Sequence, residues 1–280
     1  MTAPAPRHPS YSWRSYLRPF RTGPSDPEAF AALSAHPDHG RASAYDPVWV
    51  YLNQMGPNVL WLTEWLTDAL GLEPGMRVLD LGCGTAISSI FLARELGVTV
   101  WAADLWISPD DNARRVGETD VADRVFPVSV EAHALPFGAG FFDAIVSIDS
   151  YHYYGTDVRY LAYLARVARG GARIGIVVPG DSADRDEMPD DIAAVEHPPP
   201  RGDYFSFRSD RWWRRQWEMS AVVDVEVADM QPHGWDDWYR WCQVAAAWEG
   251  TPPERSGDAE LILTESGRTL GFTRVIGRVR

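Results

Sequence analysis

The residues best equipped for chemistry lie in one short stretch, Val78-Leu79-Asp80-Leu81-Gly82-Cys83-Gly84-Thr85-Ala86. Backbone without side chains lets a ligand approach closely beside exposed amides, so a glycine turn between a strand and a helix is a place to bind one. Two nucleotide-type patterns compete for it. The dinucleotide pattern G-x-G-x-x-G needs a third glycine at position 87, where Ile87 stands, and a branched side chain there obstructs the close packing of helix on strand around a pyrophosphate. The other pattern, an acidic residue followed by G-x-G-x-G, binds a ligand without phosphates. Asp80, Gly82 and Gly84 fit it, and Ala86, in place of the last glycine, is small enough to leave the loop's course unchanged. A second carboxylate, Asp104, closes the apolar run that begins at Val98, and an acceptor-only group there can bind both hydroxyls of a ribose. A third, Glu131, follows another such run and precedes Ala132, where an adenine edge can be read.

A second cluster, Asp149-Ser150-Tyr151-His152-Tyr153-Tyr154, holds an imidazole and three phenols. The expectation is that Tyr151, His152 or Tyr154 lines a reaction pocket. His152 is the natural general base, because an imidazole titrates near neutral pH. The competing expectation is that alternate aromatics pack under a sheet edge. Cys83 has no base beside it and serves as a small filler, and Asp143 only ends a turn. Tryptophans recur at Trp212, Trp213, Trp217, Trp235, Trp238 and Trp241; Trp213 and Trp217, like Trp238 and Cys242, lie four apart on one helical face. Packing is the plain explanation of these, and an aromatic wall for an aromatic or cationic substrate is the sharper one.

The elements that must position these groups alternate. Asn58 can cap a helix whose apolar residues Leu62, Trp65, Leu66 and Leu70 recur at helical spacing, stopped at Gly71. Apolar runs at 77–81, 98–103, 125–130, 142–148 and 172–178 are expected to be strands, with helices near 86–96, 109–118 and 156–169. Arg169-Gly170-Gly171 is expected to stop the last of these helices, with glycine as its left-handed cap. Alternation of this kind implies βαβ units and a parallel sheet buried on both faces. Further strands are expected at 222–227 and 270–279. Residues 1–45, with Tyr11, Trp13, Tyr16 and Phe20, form an arm that can serve as a lid. Residues 46–280 form one domain, with an insertion at about 181–210 marked by the acidic run Asp184 to Asp191 and Pro198-Pro199-Pro200.

Composition narrows the classes. The formal net charge of −13 over 280 residues argues against a nucleic-acid partner, which needs a positive footprint. All 26 basic residues are arginine, which rules out a Schiff-base lysine or the lysine of a P-loop. Two cysteines, Cys83 and Cys242, make neither a disulfide framework nor a Cys-rich metal site, and no metal is expected. No apolar run is long enough to cross a membrane, and Met1 to Phe20 lacks a signal peptide's apolar stretch, so a cytoplasmic protein without a membrane partner is expected.

Taken together, Val78 to Thr85, Asp104, Glu131 to Phe137, Phe142 to Ser147 and Arg169-Gly170-Gly171 make the sequence resemble class I S-adenosylmethionine-dependent methyltransferases over about residues 55–180. It is similar to the small-molecule branch that includes the cyclopropane-fatty-acid-synthase-like and ubiquinone-type enzymes. The resemblance implies an α/β Rossmann-like, seven-stranded, mostly parallel sheet with an antiparallel last strand and helices on both faces. It implies S-adenosyl-L-methionine as cofactor, held by Asp80, Gly82, Gly84, Asp104 and Glu131, with Cys83, Leu105, Ala132 and Ile148 completing the set. It implies methyl transfer to oxygen, nitrogen or carbon of a small molecule, with a homodimer compatible with the chain. A nicotinamide or flavin oxidoreductase would share the sheet, but Ile87 counts against it; a catalytically idle S-adenosylmethionine-binding protein is the other alternative.

Overall fold

The computed structural model describes residues 23–183, 206–255 and 258–280. Seven strands form one sheet: β1 Arg77–Leu81, β2 Thr99–Asp104, β3 Val125–Ser129, β4 Phe142–Ile148, β5 Ala168–Asp181, β6 Val223–Met230 and β7 Leu270–Val279. Their spatial order is β3-β2-β1-β4-β5-β7-β6. β1 to β5 run parallel, and β7 is antiparallel to both β5 and β6. The expected strands are therefore all present. The order reverses between β1 and β4, and in an open α/β sheet that is where the crevice beyond the strands' carboxyl ends binds ligands.

The helices are α1 Pro27–Ser34, α2 Pro47–Asn53, α3 Val59–Leu70, α4 Ile87–Leu96, α5 Pro109–Gly117, α6 Tyr160–Ala165, α7 Asp210–Ser220, α8 Gly234–Glu249 and α9 Ala259–Glu265. Asn58 caps α3 as expected, accepting from the Leu60 and Trp61 amides, and Gly71 closes it at φ 65°. Two layers cover the sheet. Leu66 and Leu70 of α3, Ile90 of α4 and Trp238 of α8 fill one face; Tyr160, Leu161 and Leu164 of α6, with Trp213 and Trp217 of α7, fill the other. The first face is close enough that a Cβ on Gly175 of β5 would lie 2.8 Å from Leu70.

One expected boundary is wrong. The helix before β5 ends at Ala165, capped by Arg166 in right-handed geometry, and Gly170-Gly171 lie inside β5. Gly171 is left-handed, at φ 80°, but it serves a bulge: Phe142 pairs with Ala168, and two residues later Ala144 pairs with Arg173. The glycines let β5 loop out three extra residues. Asp143 is likewise part of β4 rather than of a turn. It accepts from the Arg77 amide at 2.7 Å and pairs with the guanidinium of Arg169 at 3.1 Å.

The described part of the arm is firmly attached. Phe30 of α1 is buried against Tyr51 and Trp248. Arg240 of α8 donates to the carbonyls of Ala32, Leu33 and Ala35, which are orphan acceptors at the C-terminal end of α1. His36 Nε2 lies 2.8 Å from Asp237 Oδ1 and His39 Nε2 lies 3.7 Å from Asp237 Oδ2, a grouping with metal-ligand chemistry. The Asp38 amide donates to His36 Nδ1. That fixes the proton of the neutral ring on Nε2, which donates to Asp237 and has no lone pair for an ion. The cluster ties the arm to α8. Tyr11, Trp13, Tyr16, Phe20, the acidic run and the three prolines lie outside the described residues. Among the described residues no helix is long and apolar enough to cross a membrane.

Candidate active site

The glycine turn leaves β1 at the order reversal. Gly82 and Gly84 both adopt left-handed backbone, at φ 76° and 53°. The Gly82 and Cys83 amides donate to the Ala103 carbonyl, and the Gly84 amide donates to Asp104 Oδ2 at 2.8 Å. Space around the turn is occupied on both sides: a Cβ on Gly82 would overlap Ser150 Oγ, and one on Gly84 would lie 2.9 Å from Met55 Sδ. Ala86 is also left-handed, at φ 62°. A β-carbon there costs roughly 1–2 kcal/mol relative to the right-handed form, so the position is more strained than its small size suggests.

Asp80, the acid of the sequence pattern, is bonded to the helix that follows the turn rather than to the turn itself. Its Oδ2 accepts from the hydroxyls of Ser88 and Ser89 at 2.7 and 2.6 Å in the first turn of α4. Its Oδ1 is buried without a hydrogen bond among the described residues. Burial pushes the carboxyl up to about 6, with the two serines pulling down and nearby Asp104 adding a smaller upward push.

Asp104 does close β2, but it is largely committed to backbone. Oδ1 accepts from the Trp106 and Ile107 amides at 2.7 and 2.9 Å, and Oδ2 from Gly84. A carboxylate offers about four lone-pair directions. Three are taken, so one acceptor direction on Oδ2 remains for a ligand hydroxyl, rather than a fork for two. Burial raises this carboxyl too, against the three amides that lower it.

At the far side of β2, Glu131 is exposed and holds its neighbour His133, Oε2 accepting from the amide and Oε1 facing Nδ1 at 2.9 Å. Partial burial works against its charge, but those bonds win and hold the carboxyl below its usual range. The Ala132 carbonyl accepts from Tyr160 at 3.0 Å. Leu105 is exposed at the rim, whereas Ile148 and Cys83 are buried. Burial pushes the Cys83 thiol well above its usual range, consistent with a filler.

The aromatic cluster after β4 separates into three roles. Tyr151 is completely enclosed, a core ring packed among Tyr154, Tyr160, Trp213 and Trp217. Tyr154 is an anchor: its hydroxyl donates to the Leu81 carbonyl at 3.1 Å, meets Ser147 Oγ at 2.9 Å and accepts from Ser150 at 3.3 Å, directly behind Gly82. Burial keeps that phenol far above its ordinary range, so it stays neutral. His152 is buried, its ring 5.9 Å from Phe207, with Nδ1 unpartnered among the described residues. Burial pushes it down to about 3. So weak a base takes a proton poorly at neutral pH, which counts against the general-base role.

Sequence reasoning missed the roof of this site, the segment after α2. Asn53 and Met55 sit on the glycine turn, Thr85 Oγ1 donating to the Asn53 carbonyl. Arg115 donates to Asn53 Oδ1 at 2.6 Å and to Asn112 Oδ1 at 2.7 Å, and Asn112 donates to the Gly84 carbonyl at 2.9 Å. Ser88 and Ser89 were missed as well, although two adjacent hydroxyls after a buried acid were a readable signal. The tryptophans pack: Trp213 and Trp217 are wholly buried, and Trp238 stacks on Phe272 with ring centroids 5.0 Å apart.

Comparison with known proteins agrees with this geometry. A family model described as a methyltransferase domain matches residues 78–171, from β1 into β5. The methyltransferase GfsG of Streptomyces halstedii is 34% identical over 116 residues, 41% of this chain and 42% of that protein. The 27-O-demethylrifamycin SV methyltransferase of Amycolatopsis mediterranei is 31% identical over 116 residues, 41% of this chain and 43% of that protein. The chain thus spans less than half the length of these two curated relatives. Among solved structures, geranyl diphosphate C-methyltransferase from Streptomyces coelicolor A3(2) shares the fold across 95% of this chain and 93% of its own, at TM-score 0.64 and 18% identity. The [4+2]-cyclase SpnF shares it at TM-score 0.60 and 15% identity, covering 81% of this chain and 83% of its own. Residues 78–171 thus resemble a methyltransferase domain, and the seven-stranded sheet shares the Rossmann-like fold of these solved structures.

Proposed function

We propose that this chain transfers a methyl group from S-adenosylmethionine to a small molecule. The observation that carries the proposal is the glycine turn itself: two left-handed glycines, at one of which a β-carbon would overlap Ser150, beside an Asp104 carboxylate that keeps one acceptor direction open. That arrangement suits a nucleoside with a ribose hydroxyl and no phosphates. Methyltransferases among its relatives, and structure neighbours in complex with S-adenosylmethionine or its product, support the choice. Nothing observed favours the oxidoreductase. SpnF, a cyclase on the same fold, shows that the fold alone does not fix the chemistry, which is set by the site.

S-adenosylmethionine, when bound, supplies a methyl carbon already activated by a sulfonium. What the protein must add is position. The glycine turn, Asp104 and, at the adenine end, Glu131 and Ala132 would hold the nucleoside, while the 53–57 roof excludes water above the turn. Holding the reacting atoms in line contributes roughly 7–11 kcal/mol in well-oriented systems. The proposal keeps the layout of an arm over 1–45 and an insertion at about 181–210. Phe207, at the described end of that insertion, lies against His152 on the acceptor side. The acidic surface supports a function without nucleic acid. Two free, buried cysteines support a cytoplasmic setting.

The test is calorimetric titration with S-adenosylhomocysteine. The wild-type chain should bind it, and Asp104→Ala should weaken binding about ten- to a hundredfold, the worth of roughly 1.5–3 kcal/mol for a hydrogen bond to a charged acceptor. Asp104→Ala also strips three amides of their acceptor, so its thermal midpoint should fall as well. Unchanged affinity in a folded variant would remove Asp104 from the site.

A further inference from the structure

The end of the sheet opposite the glycine turn holds a cavity of about 250 Å3. Arg169 and Arg173 of β5 and Arg278 of β7 line it, and the loop after α3 and the start of β4 form its other walls. β4 runs from Asp143 in this wall to Ile148 at the crevice end. At about 3.3 Å per residue the two ends lie roughly 16 Å apart along the strand.

Two irregularities in strand pairing bring the charged groups together. The loop-out in β5, between the pairings of Ala168 and Arg173, carries Arg169, whose Nη1 lies 3.1 Å from Asp143 Oδ1. In β6 the register shifts between Val225 and Val227, which leaves Glu226 as the extra residue of a bulge. Arg173 and Arg278 stand directly opposite each other on β5 and β7, where like charges repel. The Glu226 carboxylate joins them, Oε2 accepting from Arg173 Nε and Oε1 from Arg278 Nε, both at 2.7 Å. Asp143 is shared in the same way, by Arg169 and by Arg77, whose Nε lies 3.3 Å from Oδ2. Partial burial works against the charge of both acids, but the arginines win and hold each carboxyl below its usual range. Four guanidiniums thus share two carboxylates. Asp224, across from Arg278, is taken by Arg280 at 2.8 Å. Glu73, the other acid of the wall, is exposed and forms no ion pair among the described residues. Even with Glu73 counted, positive charge is in excess here, in a chain whose formal net charge is −13. Donors are in excess too. Arg173 and Arg278 use Nε on Glu226 and Nη1 on the carbonyls of Leu70 and Gly171, so Nη2 of each has no partner among the described residues.

We infer that this cavity is a second ligand site, which takes a small phosphate-bearing anion between Arg169, Arg173 and Arg278. A guanidinium presents its N–H groups in a planar fork that matches phosphate oxygens, and hydrogen bonds between two charged groups are the strong ones. Side chains directly opposite on neighbouring strands start only about 5 Å apart, so the free Nη2 groups of Arg173 and Arg278 can serve two oxygens of one phosphate. The volume lies just below the roughly 300–1,000 Å3 of common ligand pockets and suits a phosphate carrying a small organic group. The acidic chain as a whole repels an anionic membrane or a nucleic acid, which leaves a free small molecule as the occupant. The site stands apart from the glycine turn and does not depend on the methyl-transfer reading.

The experiment uses the full 280-residue chain labelled with 15N at arginine, and follows the Nε–H resonances by NMR as sodium phosphate replaces sodium chloride at constant ionic strength and pH 7.5. The Arg173 and Arg278 signals are assigned by their loss in Arg173→Gln and Arg278→Gln, or by triple-resonance spectra if those variants do not fold. Both should shift and saturate with phosphate, and with glycerol 3-phosphate at equal or lower concentration; glycerol should leave them in place. Arg169→Gln spares the fold, because Arg77 still pairs with Asp143, and it should weaken phosphate binding roughly tenfold. Arg114→Gln, on α5 and paired with Asp111, should leave the affinity unchanged. The inference is overturned if the two signals respond no further to phosphate than to chloride, or if Arg169→Gln binds phosphate as the wild type does. Displacement of phosphate by saturating S-adenosylhomocysteine also overturns it, placing the anion at the glycine turn. So does capture of the chain by phosphatidic acid vesicles without a response to glycerol 3-phosphate, which points to a membrane surface. A chain that responds to phosphate and fails to bind S-adenosylhomocysteine would overturn the methyl-transfer reading alone.

Discussion

Substituting Asp80 by asparagine should change how the protein's stability depends on pH, and the size of the change follows from its surroundings. In the folded chain its carboxyl sits at about 6, against an ordinary value of 3.8, because burial outweighs the two serine hydrogen bonds. Two units of difference at about 1.4 kcal/mol each make roughly 3 kcal/mol. The sign is set by proton binding. Between pH 4 and 6 the folded state holds this proton while the unfolded state has released it, so stability falls as pH rises through that window. Asparagine cannot titrate, so this loss disappears. Its unpartnered amide where Oδ1 now lies has its own cost, but that cost is the same at every pH. Denaturant unfolding of both proteins at pH 4.0 and 7.5 isolates the effect: the wild type should lose about 2–3 kcal/mol more than Asp80→Asn between the two. Asp149 and Asp104 titrate in both proteins and cancel to first order. Equal losses, within about 0.5 kcal/mol, would mean that Asp80 is not a desolvated acid and that the account of the β1–α4 junction is wrong.

Two further substitutions probe the turn and its support. Gly82→Ala must place a β-carbon on a left-handed backbone against Ser150, so S-adenosylhomocysteine affinity should fall at least tenfold by calorimetry while far-ultraviolet dichroism stays unchanged; normal affinity would show that the turn tolerates a side chain. Tyr154→Phe removes a hydroxyl that holds Leu81, Ser147 and Ser150, and should cost about 1–3 kcal/mol, which in a chain of this size lowers the thermal midpoint by about 2–10 °C. A Tyr154→Phe protein with an unchanged midpoint but reduced turnover would restore the phenol to a catalytic role.

The central strands β1 and β4 were legible because each is an apolar run covered on both faces, and burial of that kind depends on composition more than on partners. Where composition and partners diverge, the sequence misleads. Gly170-Gly171 has the composition of a helix stop, yet the same conformational freedom serves a bulge inside β5, and only pairing with β4 distinguishes the two. Tyr151 and Tyr154 are chemically alike in the sequence. Their fates differ because the short helical turn after β4 points one into the layer beneath α7 and the other at the end of β1.

The acidic side chains carry the same lesson further. Asp80, Asp104 and Asp149 all follow apolar runs and look equivalent on the page of the sequence. Their donors set them apart: two serine hydroxyls for Asp80, three amides for Asp104 and, among the described residues, none for Asp149. Two of the amides that serve Asp104, at Trp106 and Ile107, are local, and the third, at Gly84, reaches it only once the β1 and β2 loops meet across the sheet. Asp149, on a left-handed backbone, faces Gly56, a residue more than ninety positions earlier in the chain. A carboxylate's role here follows from what donates to it.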